Sequence, residues 1–311
     1  MKFKIKDIPI KYNLFLSPMA SYTDMVFRRI IDEIGYCGLM VTEMVSVEGL
    51  IRRGEKTLEM LRNFNSNTPQ FVQLFGANPD SFYEASRFIE NETDYSGIDI
   101  NMGCPVNKVV KRGAGSYLMK DLKNALNIVK SVIKAVKLPL TVKLRLGFEE
   151  INVIEVIRMS QDEGVDGIGV HFRLRTDNYS IKARWEYAEK IKEIIRVPFF
   201  GNGDIFSVKD IDDKLKFVDA LLIGRGALIN PFIFFEYYNK GKEIDFKTIV
   251  RKLFDYMDYY YDDKLKLLKA KSFIKYISYR LRDRKKARAE LYSIKSFDEL
   301  RSRVFEMFEN V

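Results

Sequence analysis

The chain has 311 residues, 47% of them apolar, enough to fill one large domain and a smaller one. A net charge of +9 comes with a single histidine and only two cysteines, Cys37 and Cys104, which argues against a disulfide scaffold and a zinc centre and fits a reducing cytosol, so no metal is expected. Residues 1–7 alternate charged and apolar side chains, unlike a signal peptide, and the most apolar long stretch, residues 221–235, is broken by Arg225 and Pro231, so no membrane span is expected and the protein reads as cytoplasmic.

Short apolar runs lie at residues 14–16, 39–41, 71–75, 97–100, 140–144, 167–170, 198–200 and 220–223, each followed by a segment of helical periodicity. Eight strands alternating with helices over about 230 residues predict an α/β fold, a (β/α)8 TIM barrel over residues 1–238. Asn78-Pro79 and Asn230-Pro231 each set a capping Asn before a Pro in the first helical position. Beyond residue 238 the alternation stops. Asn239-Lys240-Gly241-Lys242 reads as a linker, and residues 246–261, 265–281 and 296–308 as helices, Ser296 and Glu299 having the spacing of a capping box. Residues 239–311 are therefore expected to form a smaller all-helical domain. Residues 240–311 hold 19 Lys plus Arg against 12 Asp plus Glu, whereas residues 1–239 hold 33 against 31, so the positive charge is concentrated where a polyanion would bind.

In such a barrel the chemistry gathers at the carboxyl ends of the strands. The residues there are Pro18, Met19 and Ala20; Thr42 and Glu43; Gln73; Asn101 with Cys104; Lys143 with Arg145; His171 with Arg173; Asn202, Gly203 and Asp204; and Gly224, Arg225 and Gly226. The last two clusters follow the seventh and eighth strands, where glycine-rich turns bind phosphate and Arg225 could add charge-assisted bonds. Lys143, ending an apolar strand, requires an anionic partner, and a reduced flavin is one. His171 reads as a hydrogen-bond donor to a cofactor. Cys37 reads as a small buried apolar residue. Cys104 lies past a strand end, is followed by Pro105, Lys108, Lys111 and Arg112, and could serve as acid or nucleophile.

Pro18-Met19-Ala20 with Thr23-Asp24, Thr42-Glu43-Met44, Asp99-Ile100-Asn101-Met102-Gly103-Cys104-Pro105, Lys108-Val109 with Gly113-Ala114-Gly115-Ser116, Thr141-Val142-Lys143 and Gly201-Asn202-Gly203-Asp204-Ile205 together resemble the tRNA-dihydrouridine synthases, in order over residues 14 to about 235. Within that family the bacterial B-type branch is the most similar. The resemblance implies FMN held by Pro18, Met19, Ala20, Gln73, Lys143, His171, Asn202, Gly203, Asp204, Gly224 and Arg225, with NADPH or NADH as reductant. It implies Cys104 as proton donor to a uracil ring oriented by Asn101, Lys143 and Arg145. No Rossmann fingerprint is present, so the nicotinamide would visit the flavin without a domain of its own.

The partner implied is tRNA, with no obligate protein partner. Lys264, Lys266, Lys269, Lys271, Lys275, Arg280, Arg282, Arg284, Lys285, Lys286 and Arg288 are candidate phosphate contacts. Tyr256, Tyr259, Tyr260, Tyr261, Tyr276 and Tyr279 read as packing residues. The chain departs from the family pattern at Ser21, where Gly is usual, and at Phe172, Leu174, Ile181 and Arg184 around the sixth strand. Two other readings compete: a flavin barrel acting on a free dihydropyrimidine, and an RNA-binding barrel without redox function.

Overall fold

The computed structural model describes residues 2–239, 245–281 and 283–309. Its strands are β1 (Phe3–Ile5), β2 (Ile8–Ile10), β3 (Leu14–Leu16), β4 (Leu39–Ser46), β5 (Gln70–Phe75), β6 (Gly97–Met102), β7 (Leu140–Gly147), β8 (Gly167–Leu174), β9 (Phe199–Asn202) and β10 (Ala220–Ile223). Strands β3 to β10 form a closed parallel barrel in sequence order, β10 pairing with β3 at Leu221 opposite Leu14. All eight expected runs are barrel strands, and the fold is a TIM barrel followed by a helical region. The antiparallel hairpin β1–β2 is additional.

Alternate residues of a strand face opposite sides, and this alternation divides the barrel interior into two halves. Near the amino ends the inward residues Phe15, Leu39, Val41, Phe71, Phe200, Ala220 and Leu222 form one buried apolar cluster. Ile5 and Ile10 of the hairpin join that cluster and close the barrel floor. Two glycines make room for its rings. A Cβ at Gly97 would lie 2.5 Å from the Phe71 ring and one at Gly167 2.9 Å from Phe200. Two residues further along the same rows the side chains turn polar, with Gln73 after Phe71 and Asn202 after Phe200. The outward rows, among them Val72, Ile98, Ile100, Val142, Ile168 and Val170, pack in the larger cluster with the helices.

Several strands run further than the apolar runs suggest: β4 to Ser46, β6 to Met102, β7 to Gly147 and β8 to Leu174. Thr42, Glu43, Asn101, Lys143, Arg145, His171 and Arg173 therefore sit on strands, not on the loops after them. Polar side chains do not end a strand when the barrel lets them bond one another.

The carboxyl-terminal region contains helices Phe246–Tyr260, Asp263–Ile277, Arg284–Ser293 and Phe297–Glu309, with a 3-10 turn Ser278–Arg280 where a longer second helix was expected. Helix Arg284–Ser293 escapes the sequence pattern because Ala287 and Leu291 are its buried residues. From Lys240 onward the expected linker lies outside the described residues. The helical region packs on the first barrel helix, Met25–Ile34, through Lys252 to Glu33 (2.7 Å) and Arg29 over the Tyr256 ring (4.6 Å). One apolar cluster runs through both.

The caps divide. Asn78 accepts from the Asp80 and Ser81 amides (2.9 and 3.4 Å) with Pro79 opening its helix, as expected. Asn230 instead ends helix Arg225–Ile229, and the next helix, Ile233–Tyr238, begins after Phe232. Ser296 accepts from the Glu299 amide at 3.5 Å, the half of a capping box that the described contacts include.

Candidate active site

A cavity of about 370 Å³ opens at the carboxyl end of the barrel, within the range of small-molecule sites. The candidate cofactor, catalytic and substrate residues all line it: Pro18, Met19, Ala20, Gln73, Asn101, Cys104, Lys143, Arg145, His171, Asn202, Gly203, Asp204, Gly224 and Arg225; the strand-end residues Thr42, Glu43 and Arg173 do not. Residues scattered over two hundred positions converge because each occupies the upper interior of its strand or the turn after it.

The network starts at Asp99, which is buried and accepts from Thr141 Oγ1 (2.6 Å) and Gln73 Nε2 (2.7 Å). Asn101 Nδ2 donates to Gln73 Oε1 (2.7 Å), and Asn101 Oδ1 accepts the amides of Gly103 (3.1 Å) and Cys104 (2.9 Å). Arg145 Nε donates to the Gly103 carbonyl (2.7 Å) and Nη1 to that of Leu174 (2.8 Å). Asn101 and Arg145, expected to orient a substrate, are thus engaged in fixing the loop that carries Cys104. Gly115, at φ +63°, closes against it. A Cβ there would lie 2.9 Å from the Cys104 carbonyl oxygen. Burial pushes the Cys104 thiol up, outweighing the Val106 amide and Arg145, so the group holds its proton at neutral pH.

Lys143 Nζ donates to Asn202 Oδ1 at 3.2 Å, and this is its one hydrogen bond among the described residues. Burial pulls the Lys143 ammonium down while Asp99 opposes the shift. Burial likewise pushes Asp99 up, against its bonds to Thr141 and Gln73 and the charge of Lys143. An ammonium has three donors, so Lys143 brings unused hydrogen-bonding capacity into the cavity. His171 is held well below its usual range, first by burial and then by Lys143, Arg145, Arg173 and Arg225. Arg173 Nη1 lies 3.2 Å from His171 Nε2. Because a guanidinium can only donate, Nε2 accepts, and the imidazole is neutral with its proton on Nδ1.

Arg173, 1% exposed, donates from Nη2 to both oxygens of the Asp204 carboxylate (2.8 and 2.7 Å), and Arg225 Nη2 donates to the same group (2.9 Å). These contacts hold the Asp204 carboxyl below the usual range against the effect of its burial. The Asp204 side chain therefore orients two arginines and is itself an anion. Its contribution to an anion site falls to the main chain around Gly203, whose φ of +129° suits glycine. Arg225 and Gly226 open the short helix Arg225–Ile229, and their amides have no acceptor within it. Arg225 also lies 4.0 Å from the centroid of the Tyr179 ring, 61% exposed at the cavity rim.

Three tyrosines that line the cavity are not among the site residues read from the sequence. Tyr179 lies in a loop with no motif, Tyr22 beside the Pro18 turn, and Tyr276 in the helical region. Tyr276 packs as expected, edge-on against Tyr22 at 5.4 Å, while also walling the cavity. Tyr259 (80% exposed) and Tyr279 (40%) are not the packing residues expected. Among the candidate phosphate contacts, Lys269 is buried against Asp24 and Glu43, Lys266 pairs with Asp258 and Asp263, Lys271 binds the Tyr292 carbonyl, and Arg288 the Ser278 hydroxyl. Lys264, Lys275, Arg280, Arg284, Lys285 and Lys286 remain exposed; Arg282 lies outside the described residues. Cys37 is buried, donates to the Leu39 carbonyl (3.2 Å) and is pushed up to about 12 by that burial.

The chain as a whole is similar to known proteins. The family described as Dihydrouridine synthase (Dus) matches residues 15–310. A protein of Synechocystis sp. named "Probable tRNA-dihydrouridine synthase 1" is 35% identical over 80% of this chain and 72% of its own length. A "Probable tRNA-dihydrouridine synthase" of Rickettsia prowazekii is 34% identical over 83% and 81%, and one of Aquifex aeolicus 34% over 74% of each chain. Among solved structures, the old yellow enzyme homologue of Zymomonas mobilis superposes with a TM-score of 0.52 at 13% identity, covering 77% of this chain and 92% of that one. A 2-naphthoyl-CoA reductase superposes at 0.57 and 11% identity, over 75% of this chain and 51% of that one. At such identities the likeness is one of fold.

Proposed function

The chain belongs to the dihydrouridine synthase family and reduces uridine in tRNA to dihydrouridine, and we propose that it does so with FMN in the barrel cavity, NADPH or NADH as reductant and Cys104 as the proton donor. The observation that carries the cofactor reading is the positive surround of the cavity. Lys143, Arg145 and Arg225 line it, with Arg173 buried against His171 and Asp204; Lys143 has donors to spare, and the glycine turns at Gly203 and Gly224 are cradles into which side chains would intrude. A Cβ at Gly224 would lie 3.3 Å from Met19 Sδ. These residues fit an anionic ring with a phosphate tail.

FMN held by these residues would supply hydride chemistry, with the nicotinamide as its source and carbon 6 of the uracil as its destination. The chain's own residues do the rest. The protonated Cys104 thiol delivers its proton to carbon 5, the geometry of a general acid on a loop fixed by Asn101, Arg145 and Gly115. Lys143, which lines the cavity, would balance negative charge on a bound ring. His171 offers its Nδ1 proton as a hydrogen bond. Pro18, Met19 and Ala20 form the opposite wall.

A uridine inside folded tRNA must leave its stack to reach such a cavity, so a grip on the RNA is needed. We assign catalysis to residues 1–238 and that grip to residues 239–311, whose exposed Lys264, Lys275, Arg284, Lys285 and Lys286 supply charge and whose Tyr279 offers a ring. The free thiols of Cys37 and Cys104 suit a reducing compartment.

The test is incubation of the purified protein, its absorbance spectrum recorded, with NADPH and unmodified tRNA, dihydrouridine being read by mass spectrometry against free uridine at equal concentration. Product on tRNA alone supports the reading. Equal turnover on free uridine, or a protein without flavin absorbance, overturns it.

A further inference from the structure

Lys269 is a lysine in the wrong place for RNA. It projects from helix Asp263–Ile277 into the junction with the barrel, its Nζ 2.8 Å from Asp24 Oδ2 and 3.4 Å from Glu43 Oε2, with the three side chains 14%, 7% and 9% exposed. A cation meant for phosphate would remain in solvent; this one neutralises buried carboxylates.

Both carboxylates are tied to the cavity wall. Asp24 caps helix Met25–Ile34 by accepting from the Phe27 amide (3.1 Å), and the Tyr261 side chain of the helical region lies beside it. Glu43, beside the lining residue Met44, accepts the amide of Ser21. Ser21 has φ +71°, a left-handed conformation that a non-glycine residue holds only when its surroundings impose it. It directly follows Pro18, Met19 and Ala20, and Tyr22 after it meets Tyr276 and Phe273 edge-on at 5.4 and 5.7 Å. A chain of direct contacts thus runs from Lys269 to Glu43, to the strained Ser21 turn, and to the wall of the cavity.

We propose that Lys269 is a positioning residue for the cofactor: by balancing Asp24 and Glu43 it holds the 18–22 turn in its binding shape, so the helical region completes the cofactor site as well as meeting the RNA. Without the cation two neighbouring buried carboxylates repel, and one of them protonates or turns to water. If Glu43 turns, the Ser21 amide loses its acceptor and the left-handed turn its restraint. The inference rests on the flavin reading of the cavity.

The experiment titrates FMN into the flavin-stripped full chain, followed by quenching of flavin fluorescence, with circular dichroism and a thermal melt on each protein. Lys269→Met should weaken FMN at least about fivefold, as a coupled site would. The double variant Lys269→Met with Glu43→Gln should return to within about threefold of wild type, since the neutral amide oxygen that replaces the Glu43 carboxylate still accepts the Ser21 amide and Asp24 keeps its helix N-terminus. Wild-type affinity in folded Lys269→Met overturns the proposal, and so does a double variant as weak as the single one, which would trace the loss to missing side-chain packing. If Lys269→Met does not fold, the charge-balanced double variant decides by the same threefold criterion. A wild-type chain that takes up no FMN defeats the flavin reading itself and this proposal with it, an outcome separate from any difference among variants.

Discussion

The two ends of the barrel interior are built on the same strand rows and do opposite things. At the floor, Phe15, Phe71 and Phe200 meet Ile5 and Ile10 in an apolar plug; two residues higher, Gln73 and Asn202 continue those rows among Asp99, Asn101, Lys143 and His171. The floor gains stability from burial in proportion to apolar area. The roof costs stability unless each polar group finds a partner, and Gln73, Asp99, Asn101 and Thr141 do find one another. Lys143 is only partly satisfied. Incomplete satisfaction in an otherwise closed network marks the place where a ligand belongs.

The sharpest way to break this division is Cys104→Ala. It should lower dihydrouridine formation by about 10²–10⁴-fold, the usual worth of a general acid, while the thermal midpoint barely moves and NADPH still bleaches the flavin. Loss of flavin reduction would place Cys104 in the wrong half-reaction. On the floor, Phe200→Ala should cost about 3–5 kcal/mol in denaturant unfolding, with turnover per folded molecule unchanged. A fall in turnover there would show that floor and roof are coupled. Lys143→Met lies between these cases. Removing the ammonium relieves the burial of a cation but leaves buried Asp99 without its opposing charge, so stability should shift little, while flavin reduction should slow by about 10²-fold in stopped flow, comparable to losing one preorganised donor.

The division also decides what a sequence can reveal. Apolar runs are legible because burial demands them, and all eight barrel strands can be located from them; the polar continuations look like loops because nothing local says that Asn101 and Gln73 will satisfy each other across β5 and β6. Cys104, Lys143 and Arg225 stand out as chemical groups at strand ends. Tyr276 and Lys269 do not, since each acts on a partner more than two hundred residues away, and in sequence a buried lysine looks like any other member of a basic helix. The hairpin β1–β2 has strands of three residues, too short for its alternation to declare itself.

The smallest expected effect tests the electrostatics of the roof directly, because His171 is the chain's single histidine. Its folded-state affinity for a proton lies well below the ordinary value near 6.5 through burial and four surrounding cations, whereas the unfolded chain titrates near that value. Below about pH 6.5 the unfolded chain therefore binds a proton that the folded chain refuses, and stability falls as pH falls. Between pH 7.5 and 5.5 the wild type should lose about 1 kcal/mol more than His171→Gln in denaturant midpoints. Asp99, pushed up to about 6 by its burial, titrates in the same window with the opposite sign, but it is present in both proteins, so the difference isolates the imidazole. Equal losses would mean that His171 protonates freely and that the cations do not act on it. The predicted loss would instead show that burial and the surrounding cations together keep the imidazole neutral, a combination that the apolar cluster at the floor of the same barrel does not offer.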